Sequence, residues 1–290
     1  MGAADIIPGV SGGTIALIMG IYESLLKAIK SIDDQFLGNL IRLRWPEAIA
    51  KSHLKFLIIL GTGILCALFS LARVIHYFLD HHKTQTAALF LGLIAASIFF
   101  VAKLVPRWTA ARLLAFLFGT LGAYWLVGLI PVQTPDELWF VFVCGVIAIC
   151  AMILPGISGA FLLLILGKYA YLTAVLKNPF SWSNIQVIAV FSSGAAVGLA
   201  GFSRVLSYFL QRYHHVTMAV LTGLMAGSLR KIWPWKQVLE STMIRGKTYI
   251  LSEKNIWPAD YDQVFWVSCF LFCVGIVAVV MLERSASLDR

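Results

Sequence analysis

A chain of 290 residues that is 60% hydrophobic and 13% charged, with a mean hydropathy of +0.85, lies outside the range of a soluble globular domain and reads as a polytopic membrane protein. Its net charge of +9 would suggest a nucleic-acid partner in a soluble chain. Here Lys and Arg gather between apolar runs, which points to anionic lipid headgroups and cytoplasmic loops, and no nucleic acid is expected.

The chain opens without a basic n-region, so no cleavable signal peptide is expected, and runs straight into Pro8-Gly9-Val10-Ser11-Gly12. A Lys- and Arg-rich segment, 23–53, follows. Six apolar stretches, 54–79, 86–105, 113–130, 185–210, 216–233 and 264–282, are long enough to cross about 30 Å of hydrocarbon. Between the third and fourth lie an acidic turn, 131–138, and an apolar arm, 139–153, which at about 15 residues is short for a span. That arm ends in a second pentapeptide, Pro155-Gly156-Ile157-Ser158-Gly159. A mixed-charge segment, 234–263, precedes the last span.

The duplication extends beyond the pentapeptides. Residues 8–22 align without gaps on 155–169, pairing Gly20 with Gly167 and Tyr22 with Tyr169. The block 72–79 aligns on 203–210, pairing Arg73 with Arg204, and Gly92 falls on Gly223. Such internal repeats mark transporters built from two related halves, here 1–130 and 139–283 of one integral membrane domain, 1–290. Counted as a span, 139–153 makes the halves parallel; counted as one arm of a re-entrant hairpin with its tip at Pro155, it makes them inverted. The short arm and broken tip favour the hairpin. The expected architecture is therefore all-α, with about six transmembrane helices and two re-entrant helical hairpins in inverted repeats. In that topology 80–85, 131–138 and 234–263 lie outside, although the four Lys and Arg residues of 234–263 prefer the cytoplasm under the positive-inside rule. Met1 pairs with Ala148, so the first hairpin lacks a counterpart of 139–147; the natural chain is expected to start upstream, or its first arm to be unusually short.

Broken backbone at membrane depth is tolerated only where protein buries it or a polar cavity lies beside it, so two breaks suggest one site in two halves. The helix that starts after each break offers unpaired N–H groups and the positive end of its dipole. Gly9, Gly12, Gly13, Gly156 and Gly159 let backbone approach an anion, and Ser11, Thr14 and Ser158 add hydroxyls; a packing kink is the plainer alternative. Arg73 and Arg204 each lie six residues before the end of an apolar stretch, about 9 Å deep, where Arg faces a cavity or partner unless it snorkels to the interface. Asp5, opposite Met152 in the alignment, is either a coupling carboxylate for H⁺ or Na⁺ or a helix cap. The pairs His81-His82 and His214-His215 lack companion ligands at metal spacing, and the five cysteines all sit in apolar runs, so no metal or cofactor is expected.

The string from Gly2 through Pro8-Gly9-Val10-Ser11-Gly12-Gly13-Thr14 to Gly20-Ile21-Tyr22-Glu23, with Leu154-Pro155-Gly156-Ile157-Ser158-Gly159 and Gly167-Lys168-Tyr169, resembles the signature of the polyprenyl-phosphate (undecaprenyl-phosphate) transporters, a prokaryotic family formerly labelled only as a domain of unknown function. The resemblance covers nearly the whole chain. It implies a multi-pass protein of the bacterial plasma (inner) membrane whose partner is the polyprenyl phosphate lipid. Its expected role is a flippase that returns the carrier of cell-wall and glycan synthesis from the outer to the cytoplasmic leaflet. The competing class is an enzyme: undecaprenyl-diphosphate phosphatases are similar in their paired hairpins and Pro-Gly-x-Ser motif. They follow the Ser with Arg-Ser-Gly and carry a glutamate-rich motif, whereas Gly12-Gly13 follow here and no acidic cluster is present, so Ser11 lacks an activating base. A transporter of a small soluble anion or ion is the third reading.

Overall fold

The computed structural model describes residues 1–5, 11–32, 53–132, 134–244, 247–258 and 260–288. Among these the regular elements are helices, except for one β-hairpin. The helices are α1 (Gly2–Asp5), α2 (Gly12–Ile18), α3 (Tyr22–Lys30), α4 (Leu54–His81), α5 (Lys83–Lys103), α6 (Ala110–Leu126), α7 (Leu138–Ile153), α8 (Gly159–Ile165), α9 (Tyr169–Lys177), α10 (Trp182–Arg212), α11 (His214–Ile232) and α12 (Gln263–Leu288); β1 (Lys236–Ile244) pairs antiparallel with β2 (Lys247–Asn255) between the last two. Helices α4, α5, α10 and α12 are long and apolar enough to span a bilayer, and α6 and α7 are shorter apolar helices. The chain is an all-α polytopic membrane protein with a small extra hairpin. That hairpin occupies the segment read from sequence only as mixed charge.

Two helix pairs are sharply bent, α2 with α3 by 116° and α8 with α9 by 110°. Their bends share one construction. Gly20 (φ 67°) and Gly167 (φ 65°) adopt the left-handed conformation, which lets the next N–H reach back five residues, Ile21 to the Ala16 carbonyl (2.9 Å) and Lys168 to the Leu163 carbonyl (2.8 Å). This is the Schellman closure, which ends a helix and redirects the chain.

Packing crosses between the halves. Helix α12 lies along α5 and α11 along α6, so the third apolar helix that follows each hairpin bend sits on the second of the other set, while α5 meets α11, α7 lies on α10, and α1 on α4. Glycine makes these contacts possible. A Cβ on Gly92 would stand 2.1 Å from the Phe272 carbonyl oxygen, and on Gly223, its aligned partner, 2.2 Å from that of Phe116. Lipid supplies no hydrophobic drive between helices, so close backbone approach through small residues holds them. Helix α4 lies at the periphery with no buried residue, and side chains such as Phe69 point outward, as a lipid-facing helix requires.

Candidate functional site

Ser11 and Thr14, at and just after the end of the first Pro-Gly-x-Ser-Gly segment, meet the second segment. Leu154 precedes Pro155 and is therefore held extended (φ −70°, ψ 130°), because the proline ring clashes with a helical residue before it; α7 ends there. Gly156 then turns with φ 86° against α11, where a Cβ would lie 2.8 Å from the Met225 Cα. Ser158 and Ser11 are extended N-caps, and the new helices start at the very next residue, Gly159 and Gly12.

Hydrogen bonds join the tips. The Ser11 hydroxyl lies 3.2 and 3.3 Å from the Met152 and Leu154 carbonyl oxygens and accepts from the Gly13 N–H (3.1 Å). Thr14 Oγ1 accepts from the Gly156 N–H at 3.0 Å, and the Tyr22 hydroxyl donates to the Ile153 carbonyl at 3.0 Å. The end of α7, whose last carbonyls have no partner within the helix, is thus capped by side chains from the other half. Gly13 permits the approach: a Cβ there would stand 2.8 Å from the Ile153 carbonyl oxygen.

The opening N–H groups of α2 find partners close by in the chain. Asp5 Oδ1 accepts from the Gly12 N–H at 2.7 Å, and the Thr14 N–H donates to the Ser11 carbonyl at 3.0 Å, so a carboxylate of the chain itself occupies the anion position at the start of α2. This is a contact of the capping kind read for Asp5. At the second tip the buried Ser158 makes no side-chain cap bond to α8, leaving its hydroxyl uncommitted there. Gly9 lies outside the described residues.

The arginines stand apart. Arg73 is exposed on α4, and Arg204 is exposed on α10 with its guanidinium donating to the Ala200 carbonyl at 2.9 Å. Among the described residues neither has a hydrogen bond or ion pair to a tip. One participant was not singled out from sequence: Lys168, opposite Ile21 in the alignment, is buried with 2% exposure. Its ammonium donates to the Thr134 carbonyl at 2.7 Å and pairs with Asp136, tying the bend of the second hairpin to 131–138. A lysine in an apolar motif whose twin carries isoleucine was the available cue.

This geometry, two broken helices interlocked by hydroxyls inside an apolar bundle, coincides with a family assignment. The family model described as undecaprenyl phosphate translocase-like matches residues 1–249. The chain belongs to that family. Two relatives named polyprenyl-phosphate transporter are similar to this translocase-like protein: one from Vibrio cholerae, 37% identical over 99% of this chain and 94% of its own length, and one from Staphylococcus aureus, 29% identical over 81% and 83%. No solved structure matches. The translocase-like assignment makes the chain a membrane transporter and removes the hydrolase reading of Ser11.

Proposed function

We propose that this protein carries polyprenyl phosphate across the bacterial plasma membrane, from the outer to the cytoplasmic leaflet, returning the lipid carrier used in cell-wall and glycan synthesis. The observation that carries the reading is the interlocked pair of tips in a chain of this family. During transport the prenyl chain stays in lipid, while the phosphate must cross a medium that penalises bare charge by tens of kcal/mol in the Born limit. A groove open sideways to the bilayer with polar groups at its centre meets that need. In this reading the halves are inverted, and the headgroup enters between the tips. The bonds that Ser11 and Thr14 make to the opposite tip are exchanged for bonds to phosphate, with Ser158 and the glycine-framed backbone of Gly9, Gly12, Gly13, Gly156 and Gly159 completing the shell. Arg73 and Arg204 guide the anion on either side, and protonation or Na⁺ binding at Asp5 couples transport by releasing the Gly12 N–H.

The test is purified protein in vesicles containing polyprenyl phosphate, with leaflet accessibility and free phosphate followed together. The lipid is expected to change leaflet with no phosphate released. Phosphate release, or no movement above protein-free vesicles, overturns the proposal, and wild-type movement by an Arg73→Ala, Arg204→Ala double variant removes the arginines from the site.

A further inference from the structure

Away from the tips, four charged side chains converge where β2 meets the ends of α5 and α11. Glu253 takes Lys83 at 3.6 Å, Lys231 at 3.6 Å and Lys236 at 2.8 Å. Glu253 and Lys236 are nearly buried, with side-chain exposures of 13% and 12%, Lys231 is 25% exposed, and Lys83 reaches in from solvent with 59% exposure. Three ammonium groups against one carboxylate leave two positive charges, and among the described residues no other carboxylate pairs with these lysines. Holding like charges together in a partly desolvated place is costly without an anion.

Beside the cluster is space of a different character. A cavity of about 620 Å³ between α4, α5 and α12 is walled by side chains such as Ile75, Phe78, Leu89 and Leu271, and is also lined by His82, which directly precedes Lys83, and by Gln85 two residues after it. Its volume is that of a ligand site. Lys231 also lies 4.8 Å from the ring centre of Phe161 in α8, so the cluster touches the helix that begins at the second tip.

We propose that Lys83, Lys231 and Lys236 form a capture site for a phosphate monoester whose apolar chain occupies the adjoining cavity. A phosphate monoester carries close to two negative charges near neutral pH, which matches the surplus. A phosphodiester lipid headgroup carries one. The site rests on the transport reading for the identity of its ligand. In the topology proposed above it lies on the outer side, where a lipid phosphate would be loaded before reaching the tips.

The experiment is calorimetric titration of the purified full-length protein with farnesyl phosphate, inorganic phosphate, farnesol and phosphatidylglycerol. Farnesyl phosphate is expected to bind most tightly. A Lys83→Ala, Lys231→Ala double variant, with Lys236 kept to hold the hairpin, is expected to lose at least about tenfold in affinity. Glu253→Gln raises the surplus charge and is expected to tighten binding several-fold, whereas a merely structural cluster would bind more weakly after losing its carboxylate. Leu89→Trp should weaken farnesyl phosphate and leave inorganic phosphate unchanged. Equal affinity of the double variant and wild type, or weakening by Glu253→Gln, overturns the site. Inorganic phosphate binding as tightly as farnesyl phosphate overturns its lipid character, and phosphatidylglycerol competing equally overturns its preference for a monoester. Lysine-dependent binding without transport in vesicles leaves this site standing and removes the transport reading. Transport by a double variant that binds like wild type does the reverse.

Discussion

Replacing Gly156 with alanine tests whether the tip geometry holds the two halves together. At φ 86° an L residue sits in the left-handed region, at about 1–2 kcal/mol. The added methyl would also lie 2.8 Å from the Met225 Cα and 3.0 Å from the Ser228 hydroxyl. The first of these is backbone and cannot swing away, so overpacking adds about 1–3 kcal/mol. The sum, about 2–5 kcal/mol, is a large part of the roughly 5–15 kcal/mol that keeps a typical protein folded. Any backward shift of the tip would also pull the Gly156 N–H away from Thr14 Oγ1. The matched control is Gly201→Ala, where nothing lies within 4 Å of the new methyl and the change should stay within about 0.5 kcal/mol. Thermal unfolding of the detergent-solubilised protein gives the stability, and amide exchange at Gly156 reports the tip itself. If Gly156→Ala and Gly201→Ala unfold at the same temperature with equal protection at residue 156, the account of the tip is wrong.

Three further outcomes are expected. Thr14→Val should cost about 1–3 kcal/mol by leaving the buried Gly156 N–H without an acceptor, and Thr14→Ser should restore most of it; equal losses for both in chemical denaturation would assign the cost to packing instead. At the second hairpin Asp136→Asn leaves the Lys168 ammonium buried beside a neutral partner, whereas Lys168→Met removes the charge and keeps the volume. Because Asp136 is 68% exposed, solvent screens the pair and the loss from Asp136→Asn should be about 1–2 kcal/mol rather than that of a fully buried pair. It should still exceed the loss from Lys168→Met, and the reverse order in parallel melts would refute the reading. The third concerns pH. Burial alone would raise the Glu253 carboxyl, but the hydrogen bond from Lys236 and the charges of Lys236, Lys231 and Lys83 outweigh it and hold the group below its ordinary value of 4.5. Its contribution to the β1–β2 hairpin is therefore complete above about pH 4.5 and lost as pH falls through the lower folded value. Amide protection factors in 236–244 and 247–255, corrected for the intrinsic pH dependence of exchange, should fall only in that acid range, and Glu253→Gln should abolish the dependence.

Much of the fold was legible because membrane helices announce themselves by length and apolarity. The short arm 139–153 is α7, Leu138–Ile153, and Pro155 ends it by the steric rule that any sequence shows. The strands were missed because 236–255 mixes charge with Val, Ile and Tyr and does not alternate cleanly; Gly246 between two nine-residue runs was the usable cue. The partner of the Gly12 N–H at the start of α2 was invisible for another reason. Asp5 is seven residues from Gly12 across a turn, and only coordinates show its carboxylate on that N–H. Depth along a helix likewise placed Arg73 and Arg204 within apolar stretches, but depth carries no information about which way a side chain faces.

The exchange of third helices between halves has a consequence for how the protein is made. Helix α6 leaves the insertion machinery early, yet its main partner, α11, is synthesised only after the second hairpin and α10, and α5 waits for α12, the last helix of all. Gly92 and Gly119 must therefore rest against lipid or provisional neighbours until Phe272 and Val220 arrive. Such non-local contacts are slow to form because loop closure precedes their reward. A truncated chain ending before Gln263 would leave α5 without its principal partner, so quality-control proteases would meet an unfinished first half rather than one finished lobe.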